Sequence, residues 1–426
     1  MSAGPDIRPA PSATSAGLLL ALRRLGNPIL AAALVSYLAI GHVTGPSDFL
    51  DLGFDFRGTL WEPARAIVHG GSVYPPPTEA AVSVGNPSVY PPLFIVLSVP
   101  LALLPFSLAA WLWWLVLALS VGLALWIIGV RDWRCLAVAL VSPIVLQGFF
   151  FGNLTLLLMV PLALAWRYRS QPWVAGLAVG VAVAAKLFAW PLVFWLLFTR
   201  RFKAALVSIG VAAALVVLPW ALIGFEGFRE YPELIRAVQD VYGRVSLSLA
   251  TVAAALGASR ELATALAALS GLVLVAVAWW LAGRTDGDRR SYSAVIGACI
   301  LASPIVWQNY LALLFLPIAL ARPRLALPWF FGFAAWLAAL LPKPTITEPE
   351  PCCRPPGVPE VIWDHSHATP AWGHAGGTMA VALLVIGWTI MSSRAHEPEP
   401  SSSSGAFRPA GRRPLILRGQ RPQARP

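Results

Sequence analysis

Charge is scarce in this chain: Asp, Glu, Lys and Arg make up 12% of its 426 residues, against 58% hydrophobic. A soluble domain of this length has no core able to take up such an apolar excess, which excludes an ordinary water-soluble fold. Acidic residues are scarcest, 20 against 31 basic, for a net charge of +11. That balance alone would fit nucleic acid. The basic residues, however, fall in short clusters between apolar runs and in the C-terminal tail, so topology explains them and no nucleic-acid partner is expected. There are 4 cysteines and no Cys-x-x-Cys spacing, which excludes the usual zinc patterns. Cys135 and Cys299 lie in apolar runs and read as core packing. Also missing are a P-loop, a G-x-G-x-x-G opening a strand–helix unit, an H-E-x-x-H and a G-x-S-x-G. Soluble nucleotide-dependent chemistry is unsupported, and no cofactor or metal is expected.

What is present is a series of apolar runs, at roughly 28–43, 91–105, 107–129, 134–150, 152–166, 173–185, 187–198, 203–223, 261–283, 291–303, 310–321, 326–342 and 375–393. They predict an all-α, polytopic integral membrane protein with about 12 transmembrane helices. Several runs are shorter than the roughly 20 residues a straight span needs, which suits cavities reaching into the bilayer. Residues 91–129 hold two runs but must cross once, so 91–105, with Pro100 and Pro105, is expected to form a half-depth helix.

Lys/Arg clusters at Arg131/Arg134, Arg167/Arg169, Arg200/Arg201/Lys203, Arg284/Arg289/Arg290 and Arg322/Arg324 set the orientation. Placed inside, they leave 45–90, the Phe151-Gly152-Asn153 turn, Lys186, 224–245, the Trp307 turn and 343–373 outside. Residues 1–26 read as a disordered cytoplasmic leader, 27–393 as the membrane domain and 394–426 as a disordered basic cytoplasmic tail resting on anionic lipid headgroups. The first run lacks an A-x-A cleavage site and reads as an anchor in the plasma membrane.

One polar stretch, 48–92, interrupts the apolar pattern for more than forty residues. A structureless loop of that length is uncommon unless functional or disordered. Asp48, Asp51 and Asp55 crowd its start, Trp61, Arg65 and His69 follow, and Gly70, Gly71 and Tyr74-Pro75-Pro76-Pro77 end any helix. Leu60, Ala64, Ile67 and Val68 at helical spacing predict a short helix over 60–69 on the membrane surface, with Asp55 just ahead of it. The alternative is a plain surface loop.

Lys186 interrupts an otherwise uncharged apolar stretch. A mid-membrane Lys costs about 2.5–3.5 kcal/mol on insertion scales, so a partner is expected. The stretch is long enough for two short helices meeting at Lys186, where an ammonium can hold a phosphate; the alternative is a snorkelling lysine. The 225–244 segment carries an amphipathic pattern, with Arg229, Arg236 and Arg244 either meeting a phosphate or solvated. Trp307 suits stacking on a sugar ring or a membrane interface. His365, His367 and His374, with Asp364, Cys352 and Cys353, match no strong metal-site spacing.

Four motifs together resemble glycosyltransferase family 87, within the GT-C superfamily. They are Asp55 with Ala64-Arg65-Ala66 and Gly70-Gly71-Ser72-Val73-Tyr74; Tyr90-Pro91-Pro92-Leu93; Ala175-Gly176-Leu177 leading to Ala185-Lys186-Leu187-Phe188, Pro191 and Arg200-Arg201; and Ser303-Pro304 with Trp307 and Tyr310. Two departures stand out. Gly152-Asn153-Leu154-Thr155 replaces a Gly-Gln-x-Asn, and Gln308-Asn309 replaces an Asp-His pair.

The resemblance implies a GT-C-type helical bundle and a polyprenyl-phosphate-sugar donor, mannose first, with transfer to a glycolipid or glycan acceptor at the outer face. It implies Asp55 as catalytic base, with Glu62 a weaker rival, and Lys186 and Arg244 at the donor phosphate. Trp61, Arg65, Tyr74, Tyr90, Asn153, Trp307 and Asn309 are the expected sugar and substrate contacts. A polyprenyl-phosphate-arabinofuranose donor is the competing chemistry within the family. Outside it stand an inactive scaffold and a transporter of similar topology, the latter disfavoured by the absence of a convincing internal repeat.

Overall fold

The computed structural model describes residues 53–77, 82, 87–243, 245–339 and 372–392. The leader, the 28–43 run, Asp48, Asp51, Arg244, most of the 343–373 loop with Cys352, Cys353, Asp364, His365 and His367, and the basic tail lie outside the described residues. Among the described residues all regular structure is helical. Three helices are long and apolar enough to cross a membrane: Phe106–Ile128, Phe202–Leu222 and Arg260–Ala282. Trp133–Val141 and Pro143–Phe151, bent by 59°, make a fourth span if taken together.

The remaining apolar helices, such as Thr155–Arg167, Pro172–Ala185, Leu187–Phe198 and Gln308–Ala321, are shorter. Proline explains much of the fragmentation. Pro143, Pro172 and Pro191 each sit at a helix start, where the missing N–H costs nothing and the fixed φ helps, and where a preceding helix cannot continue. The 91–105 run becomes two stubs, Leu93–Leu97 and Val99–Ala102, too short at about 1.5 Å per residue to cross a bilayer. The following run is one unbroken 23-residue helix.

The long helices turn apolar faces outward: Trp111, Leu115, Leu119 and Trp126 on the first, Leu206, Leu218 and Leu222 on the second, and Leu269, Leu272 and Val273 on the third are all exposed. So large an apolar surface is what a bilayer covers.

Inside, small residues let backbones meet. Pro172–Ala185 packs along Phe202–Leu222 through Gly176 and Gly180. A methyl on Gly176 would stand 2.6 Å from Val207 Cβ and 2.7 Å from the Ala204 carbonyl. One on Gly180 would stand 2.7 Å from Val211 Cβ and 2.9 Å from the Ser208 carbonyl. This four-residue spacing of glycines is the close-approach device of membrane helices, and it fixes the helix that ends at Lys186.

Candidate active site

Asp55 lies within a helix, not ahead of one. Gly53, at φ 81°, turns the chain into Phe54–Phe56, which continues as a π-helix over Arg57–Trp61 and then as Glu62–His69, closed by Gly70 at φ 72°. The expected apolar stripe holds for the buried Leu60 and Ala64, whereas Val68 is exposed. π-helical turns recur at functional sites because the wider winding re-aims side chains. Gly53 donates its N–H to the Phe150 carbonyl at 2.8 Å, and Phe56 stacks on Trp113 at 5.2 Å. These contacts lay the first turn on the end of Pro143–Phe151.

That end is a turn built around Gly152. Its φ of 69° closes the helix, its carbonyl accepts from Trp113 Nε1 at 2.8 Å, and a Cβ there would reach 2.8 Å from Phe56 Cβ. Only glycine lets the Asp55 turn come so near. The next residue, Asn153, is buried and bridges two charges. Its Nδ2 donates to Asp55 Oδ2 at 2.5 Å. Its Oδ1 accepts from the Thr155 N–H at 2.9 Å, from Thr155 Oγ1 at 2.6 Å and from Lys186 Nζ at 3.3 Å. Lys186 Nζ also donates to Thr155 Oγ1 at 2.7 Å.

Lys186 occupies an extended break, φ −145° and ψ 114°, between Pro172–Ala185 and the short 3-10 turn Leu187–Ala189. The two helices expected to meet there do so. The side chain is only 3% exposed, and its ammonium lies over the rings of Tyr310 at 4.1 Å, Tyr90 at 5.0 Å and Phe188 at 5.8 Å. Stripping an ammonium of water costs several kcal/mol. Two hydrogen bonds and three ring faces offset that cost.

The structure thus brings together Asp55, Asn153, Lys186 and Tyr90. Tyr74 serves Tyr90 from behind: its hydroxyl donates to the Tyr90 carbonyl at 2.9 Å and its ring stacks on Trp220 at 4.9 Å. Tyr231 holds the same segment through a 2.6 Å bond to the Val89 carbonyl. Trp61 is buried edge-on to Phe106, with the exposed Arg65 guanidinium 4.8 Å over its ring. Trp307 packs against Tyr242 at 6.3 Å. Asn309 is 1% exposed, and its Oδ1 has no hydrogen-bond partner among the described residues. Glu62 is exposed and pairs with Arg57 at 3.3 Å. Among the described residues no three His, Cys, Asp or Glu side chains are grouped to hold a metal.

Sequence reasoning passed over Thr155, Phe188 and Tyr310, which the structure sets against Lys186. Tyr310 belongs to the Ser303-Pro304 motif, and Phe188 lies two residues after Lys186. Thr155 carried a weaker signal, a hydroxyl two residues after a turn Asn at the start of an apolar run.

A buried ammonium, an amide bridge and a carboxylate thus meet at the breaks of apolar helices. The model of glycosyltransferase family 87 matches residues 89–304, half of the chain, and the chain belongs to that family. It is 29% identical over 243 residues to the polyprenol-phosphate-mannose-dependent alpha-(1-2)-phosphatidylinositol pentamannoside mannosyltransferase of Mycobacterium tuberculosis, an alignment covering 53% of this chain and 56% of that protein. It is 24% identical over 401 residues to the polyprenol-phosphate-mannose-dependent alpha-(1-2)-phosphatidylinositol mannoside mannosyltransferase of Mycolicibacterium smegmatis, covering 83% and 87%. The chain therefore spans about half the length of the first relative and most of the second. No solved structure matches it.

Proposed function

We propose that this protein transfers a sugar, mannose, from a polyprenyl-phosphate donor to a hydroxyl of a glycolipid or glycan, with Asp55 as general base and Lys186 at the donor phosphate. The observation that carries the reading is the hydrogen-bonded line from the Asp55 carboxylate through Asn153 to the buried Lys186 ammonium. The names of the two mycobacterial relatives support mannose as the sugar and phosphatidylinositol mannosides as the acceptor class.

The chemistry follows from the charges. The acceptor oxygen attacks the anomeric carbon and gives its proton to Asp55. The bond from that carbon to the phosphate oxygen breaks, and the electron pair leaves with the phosphate. The lipid phosphate departs already ionised, so no general acid is needed. Its growing charge is met by Lys186, which exchanges its bonds to Thr155 and Asn153 for the phosphate oxygens. Asn153 holds the carboxylate in place while its carbonyl steadies the ammonium. Tyr90, Tyr310 and Phe188 keep water from the ammonium, which strengthens its field at the leaving group. Trp61, Arg65, Tyr74, Trp307 and Asn309 are proposed to shape the sugar and acceptor sites around this line.

The site opens on the outer face in this reading, with the Arg169, Arg201 and Arg284 end in the cytoplasm. The shorter helices complete the roughly 12 spans within the protein interior, where broken helices are tolerated. The test is transfer of labelled mannose from polyprenyl-phosphate-mannose, in membranes containing the protein, to added phosphatidylinositol mannosides. Label should appear in the acceptor only with the protein present. Transfer from polyprenyl-phosphate-arabinofuranose alone would overturn the sugar, and transfer from neither donor would overturn the reading.

A further inference from the structure

A cleft of about 560 Å³ lies at the end of the bundle away from Lys186, lined among others by Phe198, Thr199, Arg200, Trp279, Trp280 and Asp288. The helix Pro191–Phe198 leads to it from the Lys186 break, and Gly287–Leu301 leads from it towards Tyr310. The latter helix has 15 residues, so the cleft and the Asp55 site are separated by about 22 Å of helix at 1.5 Å per residue. Nothing in the proposed transfer uses this end.

Its charges do not cancel. Asp288 is held by Arg201, at 2.9 and 2.7 Å to its two oxygens, and by Arg169 at 3.2 Å. Two guanidinium groups therefore already answer one carboxylate. Arg200 adds a third positive charge in the cleft wall; it is exposed and forms no ion pair among the described residues. Its backbone is held at φ 59°, a conformation that costs a non-glycine residue about 1 kcal/mol or more. Arg284 brings a fourth guanidinium 4.3 Å over the Trp280 ring.

The rest of the wall is apolar and open: Trp279 is 67% and Trp280 58% exposed. An uncancelled guanidinium excess beside exposed indoles fits an anion attached to an apolar body. We infer that this cleft binds the phosphate headgroup of an anionic membrane phospholipid, with Arg200 on the phosphate and Trp279 and Trp280 along the glycerol and upper acyl chains. The site is separate from the one that takes the glycosyl donor.

The shared chemistry is a phosphate oxyanion, which free phosphate also offers, and the test separates the two. The full chain is released from detergent into a native mass spectrometer after mixing with phosphatidylglycerol, with phosphatidylcholine, or with phosphatidylglycerol plus excess inorganic phosphate. Phosphatidylglycerol should be retained over phosphatidylcholine and should survive the inorganic phosphate. One lost charge-assisted contact of roughly 1 kcal/mol should lower retention about fivefold in Arg200→Gly. Glycine suits φ 59°, so that variant keeps the fold. Arg200→Lys should restore much of the retention, and Lys186→Met should leave it unchanged. Equal retention of the two lipids, displacement by inorganic phosphate, or undiminished retention in Arg200→Gly would each overturn the assignment.

Discussion

The two ends of the segment running from Asn153 to Asp288 carry opposite charges in opposite ways. At one end Asp288 is gripped directly by Arg201 through two parallel bonds, with Arg169 added, so the carboxylate is fully taken up by guanidinium groups. At the other, Asp55 and Lys186 are joined through the Asn153 amide. A direct bidentate pair uses up the field of both partners and fixes geometry. An amide between them satisfies hydrogen bonds while leaving a carboxylate able to take a proton and an ammonium able to meet an anion. The first arrangement ties helices together; the second is the one proposed to carry the chemistry.

Substitutions can break this contrast. The largest effect belongs to Asp55→Asn, which keeps shape and should keep donor binding while initial transfer at saturating donor falls by about 10²–10⁴. Near-normal turnover in a folded Asp55→Asn protein would move suspicion to Glu62. Asn153→Leu should follow, with a loss of about 10²-fold in turnover, since misplacing a reacting group by even an ångström has that effect. Thr155→Val should lose less than Asn153→Leu, because Asn153 Oδ1 remains to the lysine, and a kcat/KM comparison of the two variants checks that order.

Gly176→Val acts on the frame. The methyls would meet the Val207 side chain and the Ala204 carbonyl, and melting in detergent should report about 1–3 kcal/mol of lost stability. Asp288→Asn should be milder. The carboxylate side chain is 36% exposed, so solvent screens the pair and the loss should be about 1–2 kcal/mol, with transfer per folded molecule near wild type. A large turnover loss in Asp288→Asn would erase the distinction between the two ends.

The sequence made some of this legible for physical reasons. A lone charge in a long apolar stretch demands a partner and a break, and Lys186 has both. Gly152 and Asn153 announce a turn because few residues combine a left-handed backbone with a local acceptor. Other features left no such mark. Asp55 sits inside its helix because Gly53 starts the turn earlier than the apolar spacing of 60–69 indicates. Tyr74, prominent in a motif, is taken up in positioning Tyr90. Thr155 looks like any polar residue at a helix start until Lys186, 31 positions on, folds against it. Spans were counted from apolar runs, but proline breaks leave few helices with the length to cross alone.

The central claim is that Lys186 meets the donor phosphate, and binding of a polyprenyl-phosphate-sugar to purified Lys186→Met protein tests it most directly. Methionine keeps length and apolarity and removes the charge. Loss of a charge-assisted bond of roughly 1.5–3 kcal/mol should weaken donor binding by about 10- to 150-fold. Lys186→Arg should recover part of it. Donor affinity equal to wild type in a folded Lys186→Met protein would contradict the account and leave Lys186 as a buried structural cation.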